Sequence, residues 1–284
     1  MRRPVLVVAT AVLLAGCGSS TVDTAVEPAA SPYSGPMRLP VSYADDATVA
    51  ERSGAAGRAL ECDGYPYNGG GGDYDSGLES VQGIAAEALE DWLENEAWAY
   101  QVPETGYRVE REDGDRVLLS YDVDERTKIA FIAADGLRDY NGDEGWGIES
   151  WSQCDPAELP ASVTDTLDIG VWEDASGQRV PVTRIRSFQG AEHCDWQDIT
   201  FLTIGPEGKR EQYLRDTDGE LADLLRTTFD ATAALPDGAT DTGMHRDGRQ
   251  LWLGPGQEAA YLVSLDDAAD VERWPAAKEL VACR

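Results

Sequence analysis

Few residues of this chain have the types and spacing that catalysis requires. The sequence contains two histidines, His193 and His245, and neither accompanies a recognisable nucleophile. A Gly-x-Ser-x-Gly turn, which exposes a nucleophilic serine in many hydrolases, is absent from the sequence. The 53 acidic residues could supply the paired carboxylates of a glycosidase, but such abundance singles out no pair. The sequence therefore names no catalytic residue and no cofactor.

Two short stretches carry oxygen ligands of the kind that calcium prefers. Asp139, Asn141 and Asp143 have the D-x-N-x-D spacing of a calcium loop. The next residue is Glu144 where glycine is expected, and the twelfth position is Ser150 where glutamate is expected. We therefore interpret this stretch as a polar hairpin loop. Residues 216–219 (Asp-Thr-Asp-Gly) are more simply a turn that caps a following helix, so no metal ligand is assigned.

Glycines and aromatic residues offer a second kind of candidate site. Residues 69–72 are all glycine and are flanked by Tyr65, Tyr67 and Tyr74. A phosphate loop would require a following Lys-Ser/Thr and a helix, which the sequence lacks. A loop with tyrosines could hold a sugar or a cationic ligand, but a flexible connection is the preferred interpretation. The tryptophans could form a carbohydrate platform, although three of them have the positions of core residues: Trp92, Trp151 and Trp274.

The N-terminus has the three parts of a secretory signal. Arg2 and Arg3 form a positive region, residues 5–15 are apolar, and small residues precede Cys17. The apolar run is shorter than the roughly 20 residues of a membrane-spanning helix. Residues 14–17 (Leu-Ala-Gly-Cys) resemble the lipobox of bacterial lipoproteins. This resemblance implies cleavage before Cys17 and attachment of diacylglycerol, with acyl chains such as palmitate, to its thiol. The alternative is an ordinary signal peptide with a coincidental cysteine.

The expected location follows from this anchor. Arginine greatly outnumbers lysine, as is typical of GC-rich genomes, and we expect a cell with a single membrane. The lipid would then lie in the outer face of the cytoplasmic membrane, with the protein outside the cytoplasm. In a two-membrane cell, Gly18 and Ser19 carry no acidic retention signal, so the outer membrane would be expected.

The net charge limits the class of partner. The chain has a formal net charge of −30. Such a field repels phosphates, which argues against nucleic acids and against direct binding to anionic lipid headgroups. Cations and basic proteins would be attracted, but an acidic surface that keeps an exported protein in solution is the simpler explanation.

The first part of the mature chain is predicted to be a tether followed by an α+β domain. Residues 17–45 are rich in small polar residues and proline and are predicted to be a lipidated, disordered tether. Residues 46–160 form the first predicted domain, with a short helix within 46–60. Apolar residues at three- and four-residue intervals predict a helix over 78–98. Alternating residues then predict antiparallel strands at 107–111, 116–122, 127–134 and 146–152, with a type I′ turn at Asp113-Gly114.

Residues 161–284 are predicted to repeat this plan. Strands are expected near 167–173, 179–188 and 197–204, then a helix over 220–234 and further strands. Residues 242–244 and 247–251 correspond loosely to 105–107 and 113–117. The fold prediction is therefore two tandem α+β units, each a helix packed on an antiparallel sheet, related by a diverged internal duplication. Chance similarity of short hairpins is the competing explanation.

The remaining cysteines support this division. If Cys17 carries lipid, four of the five cysteines remain, and an even number in an oxidising compartment predicts disulfides. Sequence alone allows three pairings, but the two-domain plan selects Cys62–Cys154 and Cys194–Cys283. A zinc site is the weaker alternative, because no two cysteines have the close spacing of zinc ligands.

These observations favour a non-enzymatic binding or interaction module at the cell surface. Its partner would be a protein, peptide or glycan of the cell envelope. The alternatives are a cell-envelope hydrolase that uses carboxylates and a calcium-stabilised structural protein. A deep cleft with two carboxylates among apolar neighbours would favour the hydrolase. A groove between the domains without such a pair would favour binding.

Overall fold

The computed structural model describes residues 33–72, 82–139, 141–206 and 208–283. The predicted signal segment, Cys17 and residues 18–32 of the predicted tether lie outside these ranges. None of the helices in the described ranges is long and apolar enough to cross a membrane. The described chain is a mixed but sheet-rich fold, with thirteen strands in three antiparallel sheets and few helices.

The first half is built on one five-stranded sheet with the order β1-β5-β4-β3-β2. Its strands are β1 (Asn68–Gly71), β2 (Arg108–Asp113), β3 (Arg116–Val123), β4 (Arg126–Arg138) and β5 (Glu144–Gln153). The four strands that were expected are present, and β1 is an addition. The first hairpin closes one residue later than predicted, because Asp113 pairs with Arg116. Of its two loop residues only Gly114 has positive φ, as in a type II′ turn, so the type I′ prediction was wrong.

Helix α3 (Ala85–Tyr100) covers one face of this sheet. The predicted helix, 78–98, is therefore present from Ala85 onward, whereas 82–84 are not helical and 73–81 lie outside the described residues. The buried side of α3 includes Leu89 and Trp92, and it packs on Phe131 and Trp151 of the sheet. The ring centroid of Trp92 lies 4.8 Å from that of Phe131 and 5.6 Å from that of Trp151. Trp92 and Trp151 are thus core residues.

The N-terminal segment covers the opposite face. Two short helices, α1 (Val49–Arg52) and α2 (Gly54–Ala59), occupy the predicted helical stretch. The apolar side chains of this segment pack on residues of β3 and β4, namely Met37, Ala55 and Ala56 on Leu118, Ala130 and Ile132. Met37 is only 3% exposed. The prediction of a disordered tether was therefore wrong for residues 33–45, because an apolar anchor at Met37 holds this segment on the sheet. Since both faces are covered, β4 is buried almost continuously rather than in alternation.

The second half has two sheets. The larger has the order β13-β12-β11-β10-β6, and the smaller has the order β7-β8-β9. Their bounds are β6 (Glu173–Asp174), β7 (Ile185–Gln189), β8 (Thr200–Ile204), β9 (Glu211–Arg215), β10 (Thr240–Arg246), β11 (Arg249–Leu253), β12 (Ala259–Ser264) and β13 (Val271–Pro275). A core of Ile185, Leu202 and Tyr213 on the smaller sheet and Leu251 and Trp274 on the larger joins them. Helix α4 (Ala161–Thr166) lies between the halves in sequence.

The helix predicted over 220–234 is absent. This stretch contains only the 3₁₀ turn Ala222–Leu224. Its apolar residues Leu221 and Leu225 are nevertheless buried. The backbone of this stretch forms hydrogen bonds with β13 and with the residue that follows it. Ala233 N donates to Val271 O (3.0 Å), and Arg226 N donates to Ala276 O (2.9 Å). Pairing with a neighbouring strand end satisfies this backbone, although the stretch contains alanines and leucines that favour a helix, and the threonines at 227, 228 and 232 favour extended structure.

The predicted helix-on-sheet unit therefore describes the first half only. The hairpin expected near 247–251 does form in the second half, with positive φ at both Asp247 and Gly248 as a type I′ turn requires. The second half lacks the helix that the first half has, so the two halves do not have the same order of helices and strands. The structure gives the internal duplication no support beyond this hairpin.

Candidate binding site

Two disulfides are present, with the pairing that the domain plan predicts. Cys62–Cys154 joins the end of the N-terminal segment to the residue after β5, with a Cα–Cα distance of 5.3 Å. Cys194–Cys283 joins a 3₁₀ turn to the C-terminal strap, by which we mean residues 276–283, with a Cα–Cα distance of 6.2 Å. All four cysteines are therefore used in cross-links and offer no thiol for nucleophilic catalysis.

A groove of about 750 Å³ lies where the two halves meet. We call it the junction groove. One wall comes from the chain between Cys62 and β1, the floor from the turn after β5, and the other wall from the loop before β7. The residues of these three parts are Asp63, Gly64, Tyr65, Pro66 and Tyr67, then Asp155, Ala157 and Glu158, then Gln178, Arg179, Pro181 and Thr183.

Asp155 holds the floor and the far wall together. Its carboxylate accepts hydrogen bonds from Ala157 N (2.9 Å) in the first half and from Val182 N (3.0 Å) in the second. Thr183 N donates to the same carboxylate at 3.4 Å. A buried acid that accepts several backbone N–H bonds is a structural residue, because its lone pairs are already used. Asp155 thus fixes the geometry of the groove.

The other two acids of the groove are also engaged. Glu158 lies 2.6 Å from the ammonium of the buried Lys128, and it accepts a hydrogen bond from Asp63 N at 2.9 Å. Arg126 donates to the Asp63 carboxylate at 2.5 Å, and this bond, with the nearby Lys128, holds the pKa of Asp63 below its ordinary value. Each acid of the groove is therefore held by a cation or by backbone N–H groups.

The aromatic wall is the most accessible part of the groove. The side chain of Tyr65 is 92% exposed. Tyr67 is half-buried, and its hydroxyl accepts a hydrogen bond from Arg186 Nη1 at 3.4 Å across the junction. The backbone here is fixed, because Tyr67 N donates to Gln153 O (2.8 Å) and Cys62 is cross-linked. Tyrosine rings carried on this fixed backbone beside prolines suit the faces of sugars or of an extended peptide.

Arg179 supplies the cation of the opposite wall. Its Nη2 donates to Thr164 Oγ1 at 2.8 Å, while its Nε is buried and has no hydrogen-bond partner. Burial lowers the pKa of Arg179, because the charged form loses hydration. Arg179 takes part in none of the ion pairs of the described residues, so its guanidinium retains donors for an oxygen of a ligand.

The glycine run does not form the flexible loop that the sequence suggested. Residues 68–71 are the edge strand β1, and Gly72 N donates to Glu149 O of β5. A Cβ at Gly69 would lie 2.4 Å from Ser53 Oγ and 2.6 Å from Trp151 O, so only glycine fits there. Tyr74 and the rest of the flanking sequence to residue 81 lie outside the described residues.

The histidines lie apart from the groove. His193 Nε2 is 3.0 Å from Cys283 Sγ, and His245 Nδ1 is 3.9 Å from Glu173. Potential metal-binding clusters within the described ranges both include disulfide-bonded cysteines, which lack the thiolate that ligates zinc.

The two oxygen-rich stretches are turns. Asp139 Oδ1 accepts hydrogen bonds from Asn141 N (2.9 Å) and Asp143 N (3.0 Å), as in a polar loop between β4 and β5. The Asp216 carboxylate accepts from Gly219 N, Glu220 N and Leu221 N, which closes a turn just before the 3₁₀ turn, and the 3₁₀ turn itself has no side-chain cap. Trp274, like the other two tryptophans considered above, is a core residue.

Sequence reasoning missed the groove because its walls are distant in the chain. The Tyr-Pro-Tyr segment that follows Cys62 was visible as a signal, but its opposite wall, with Arg179, was not. Comparison of the chain with protein-family models, with curated proteins and with solved structures gave no match.

Proposed function

We propose that this protein is a lipid-anchored, extracytoplasmic binding protein that holds an extended peptide or glycan segment of a cell-envelope partner in the junction groove. The observation that carries this proposal is the groove itself, with tyrosines on one wall, an unpaired arginine on the other, and carboxylates already engaged in structural contacts. This arrangement favours binding over hydrolysis, since catalysis by carboxylates needs a pair with free lone pairs and suitable pKa values.

The anchor and the domain division complete the proposal. Cys17 carries lipid at the outer face of the cytoplasmic membrane, and the two proposed domains are 46–160, to which the packed residues 33–45 are added, and 161–284. With residues 33–45 packed on the first sheet, the tether shortens to residues 17–32. A flexible chain of this length spans on the order of 20 Å, which keeps the groove near the membrane but off its surface.

Site-specific photocrosslinking in intact cells tests the groove. A photoreactive phenylalanine analogue replaces Tyr65, and the matched control carries it at Tyr43, which is 82% exposed and lies outside the groove. We expect a discrete crosslinked product, peptide or glycan, from position 65 and none from position 43. Equal products from both positions, or none from position 65, would overturn the assignment of the groove.

Fractionation of cells that produce Cys17→Ser tests the anchor. Without the lipid the protein should move from the membrane fraction to the soluble extracytoplasmic fraction, because no other anchor is proposed. The control is wild type from the same cells. Firm membrane association of Cys17→Ser would show that the lipobox assignment is wrong.

A further inference from the structure

A second cavity lies in the second half, and one of its lining residues, Arg186, donates a hydrogen bond to Tyr67 of the junction groove. It has a volume of about 320 Å³ and lies between the outer face of the β7–β9 sheet and the C-terminal strap. We call it the strap pocket. The residues that matter for its chemistry are Arg186, Phe188, Trp196, Phe201, Arg210 and Val281.

The floor of the strap pocket is aromatic. The rings of Phe188 and Phe201 stack at a centroid distance of 5.4 Å with an interplanar angle of 8°. Trp196 lies beside them, with its ring centroid 6.0 Å from that of Phe201. Aromatic rings fixed by one another offer a flat apolar surface at little cost in side-chain entropy.

The strap forms a fixed side of the pocket. Val281 N donates to Gln212 Oε1 at 2.8 Å, and Ala277 N donates to Gln212 O at 2.8 Å. The Cys194–Cys283 disulfide then ties down the end of the strap. The pocket is thus preformed by covalent and hydrogen-bonded restraints, which reduces the entropy lost on binding.

The charge of the strap pocket is opposite to that of the chain. Arg186 and Arg210 line it, and none of its described lining residues is acidic, although the chain has a net charge of −30. Neither arginine takes part in an ion pair among the described residues. The Arg186 guanidinium carbon lies 5.1 Å from the centroid of the Phe188 ring, and its Nη1 donates to the Tyr67 hydroxyl, so Nε and Nη2 are the donors left for a ligand.

From these features we infer that the strap pocket binds a small organic anion, namely a carboxylate with an aromatic or branched aliphatic body. The apolar body lies on the half-buried rings of Phe188 and Trp196, which the buried Phe201 supports, and the carboxylate accepts hydrogen bonds from the guanidinium groups of Arg186 and Arg210. The volume is at the lower end of the range for small-ligand sites and fits a ligand of one or two rings.

Calorimetric titration of the whole mature protein with 2-naphthoate tests this inference, with the neutral 2-naphthamide as the matched probe. We expect naphthoate to bind at one site and the amide to bind at least about tenfold more weakly, because hydrogen bonds to charged groups are stronger. This comparison needs no variant. Equal affinity for the two probes, or no saturable binding of naphthoate, would overturn the inference.

Three variants locate the site. Arg186→Gln/Arg210→Gln should weaken naphthoate binding about tenfold or more, whereas Arg226→Gln, which changes an arginine of the same half outside the pocket, should leave the affinity unchanged. Tyr65→Ala should also leave it unchanged, which separates this site from the junction groove. Unaltered affinity in the double variant would place naphthoate elsewhere and contradict the inference.

Discussion

The two halves share a predicted order of elements but bury their sheets in different ways. In the first half, helix α3 covers one face of a five-stranded sheet and the N-terminal segment covers the other. In the second half, two sheets cover each other, and the outer face of the smaller one is covered by irregular segments and the C-terminal strap. The difference shows that the spacing of apolar residues identifies which side chains are buried. Whether the backbone becomes a helix or an extended segment depends on the structure that it packs against.

Leu89 and Leu225 illustrate this point. Both are 4% exposed, and both occur in stretches with helical apolar spacing. Leu89 lies among alanines and glutamates on a face wide enough for a helix. Leu225 is followed by Thr227 and Thr228 and lies where an extended chain can pair with residues after β13. Strand pairing satisfies the backbone as well as a helix does, so it overrides a weak helical preference.

Removal of the disulfides should give the largest effects and sharpen the comparison. The two cross-links have nearly equal sequence separations, 92 and 89 residues, so the chain-entropy term is about 4–5 kcal/mol for each. Cys154 is only 1% exposed, whereas Cys194 and Cys283 are half-buried. We therefore expect Cys62→Ala/Cys154→Ala to lower the free energy of unfolding about 1 kcal/mol more than Cys194→Ala/Cys283→Ala, because it also leaves a cavity.

Urea unfolding of both double variants without reductant measures this difference. Wild type is the common reference, and the slopes of the transitions indicate whether the denatured states differ. A greater loss from the second pair would mean that the strap, rather than the first sheet, is the more tightly packed region.

Asp155→Ala should have the next largest effect, since it tests whether the halves unfold together. Loss of the carboxylate leaves the N–H groups of Ala157 and Val182 without an acceptor, at a cost of about 1–3 kcal/mol each where they stay dry. Hydrogen exchange followed by mass spectrometry should show the second half opening independently of the first. Asp216→Ala is the matched control, because Asp216 also accepts three backbone N–H bonds but all within the second half. Independent opening in the control alone would refute a coupling role for Asp155.

The smallest effects should come from two buried tyrosine hydroxyls, one in each half. The hydroxyls of Tyr107 and Tyr213 are buried without a hydrogen-bond partner. Burial raises the pKa of Tyr213 to about 12 and that of Tyr107 well above its ordinary value. The folded protein thus holds these protons more tightly than the unfolded chain, so their contribution is complete below the unfolded pKa of about 10 and is lost as pH rises through the folded value.

Replacement of each hydroxyl should therefore flatten the alkaline loss of stability. At neutral pH, Tyr213→Phe and Tyr107→Phe should change the free energy of unfolding by about 1 kcal/mol or less, because they remove unpaired polar groups. Between about pH 10 and 12 each variant should lose less stability than wild type, as measured by urea unfolding across this range. A pH profile parallel to that of wild type would contradict the raised pKa values.

The sequence was most informative where a local pattern of apolar residues and the pairing of distant cysteines indicate the same structure. Alternation and turn residues placed β3, β4 and β5, and the even count of cysteines with a domain plan led to the observed disulfide pairing. The glycine strand β1 was not predicted, because glycine has a low strand propensity. At Gly69 the absence of a side chain allows Ser53 and Trp151 to approach closely, and this tertiary contact has no signal in the local sequence. The junction groove escaped because Tyr65 and Arg179 are brought together only by the packing of the halves.

The way the N-terminal segment lies on the first sheet has a mechanical consequence under the proposed anchor. A pull from the membrane would act first at Tyr33, beside β2, and would peel the segment from the sheet, Met37 included. Peeling would stop at Cys62, because the disulfide ties that residue to the end of β5. Residues 33–61 would then extend to about 100 Å before the full load reached the cross-linked Cys62 and the groove beyond it. The segment would act as a reserve of length that lets the protein follow a moving partner without releasing it.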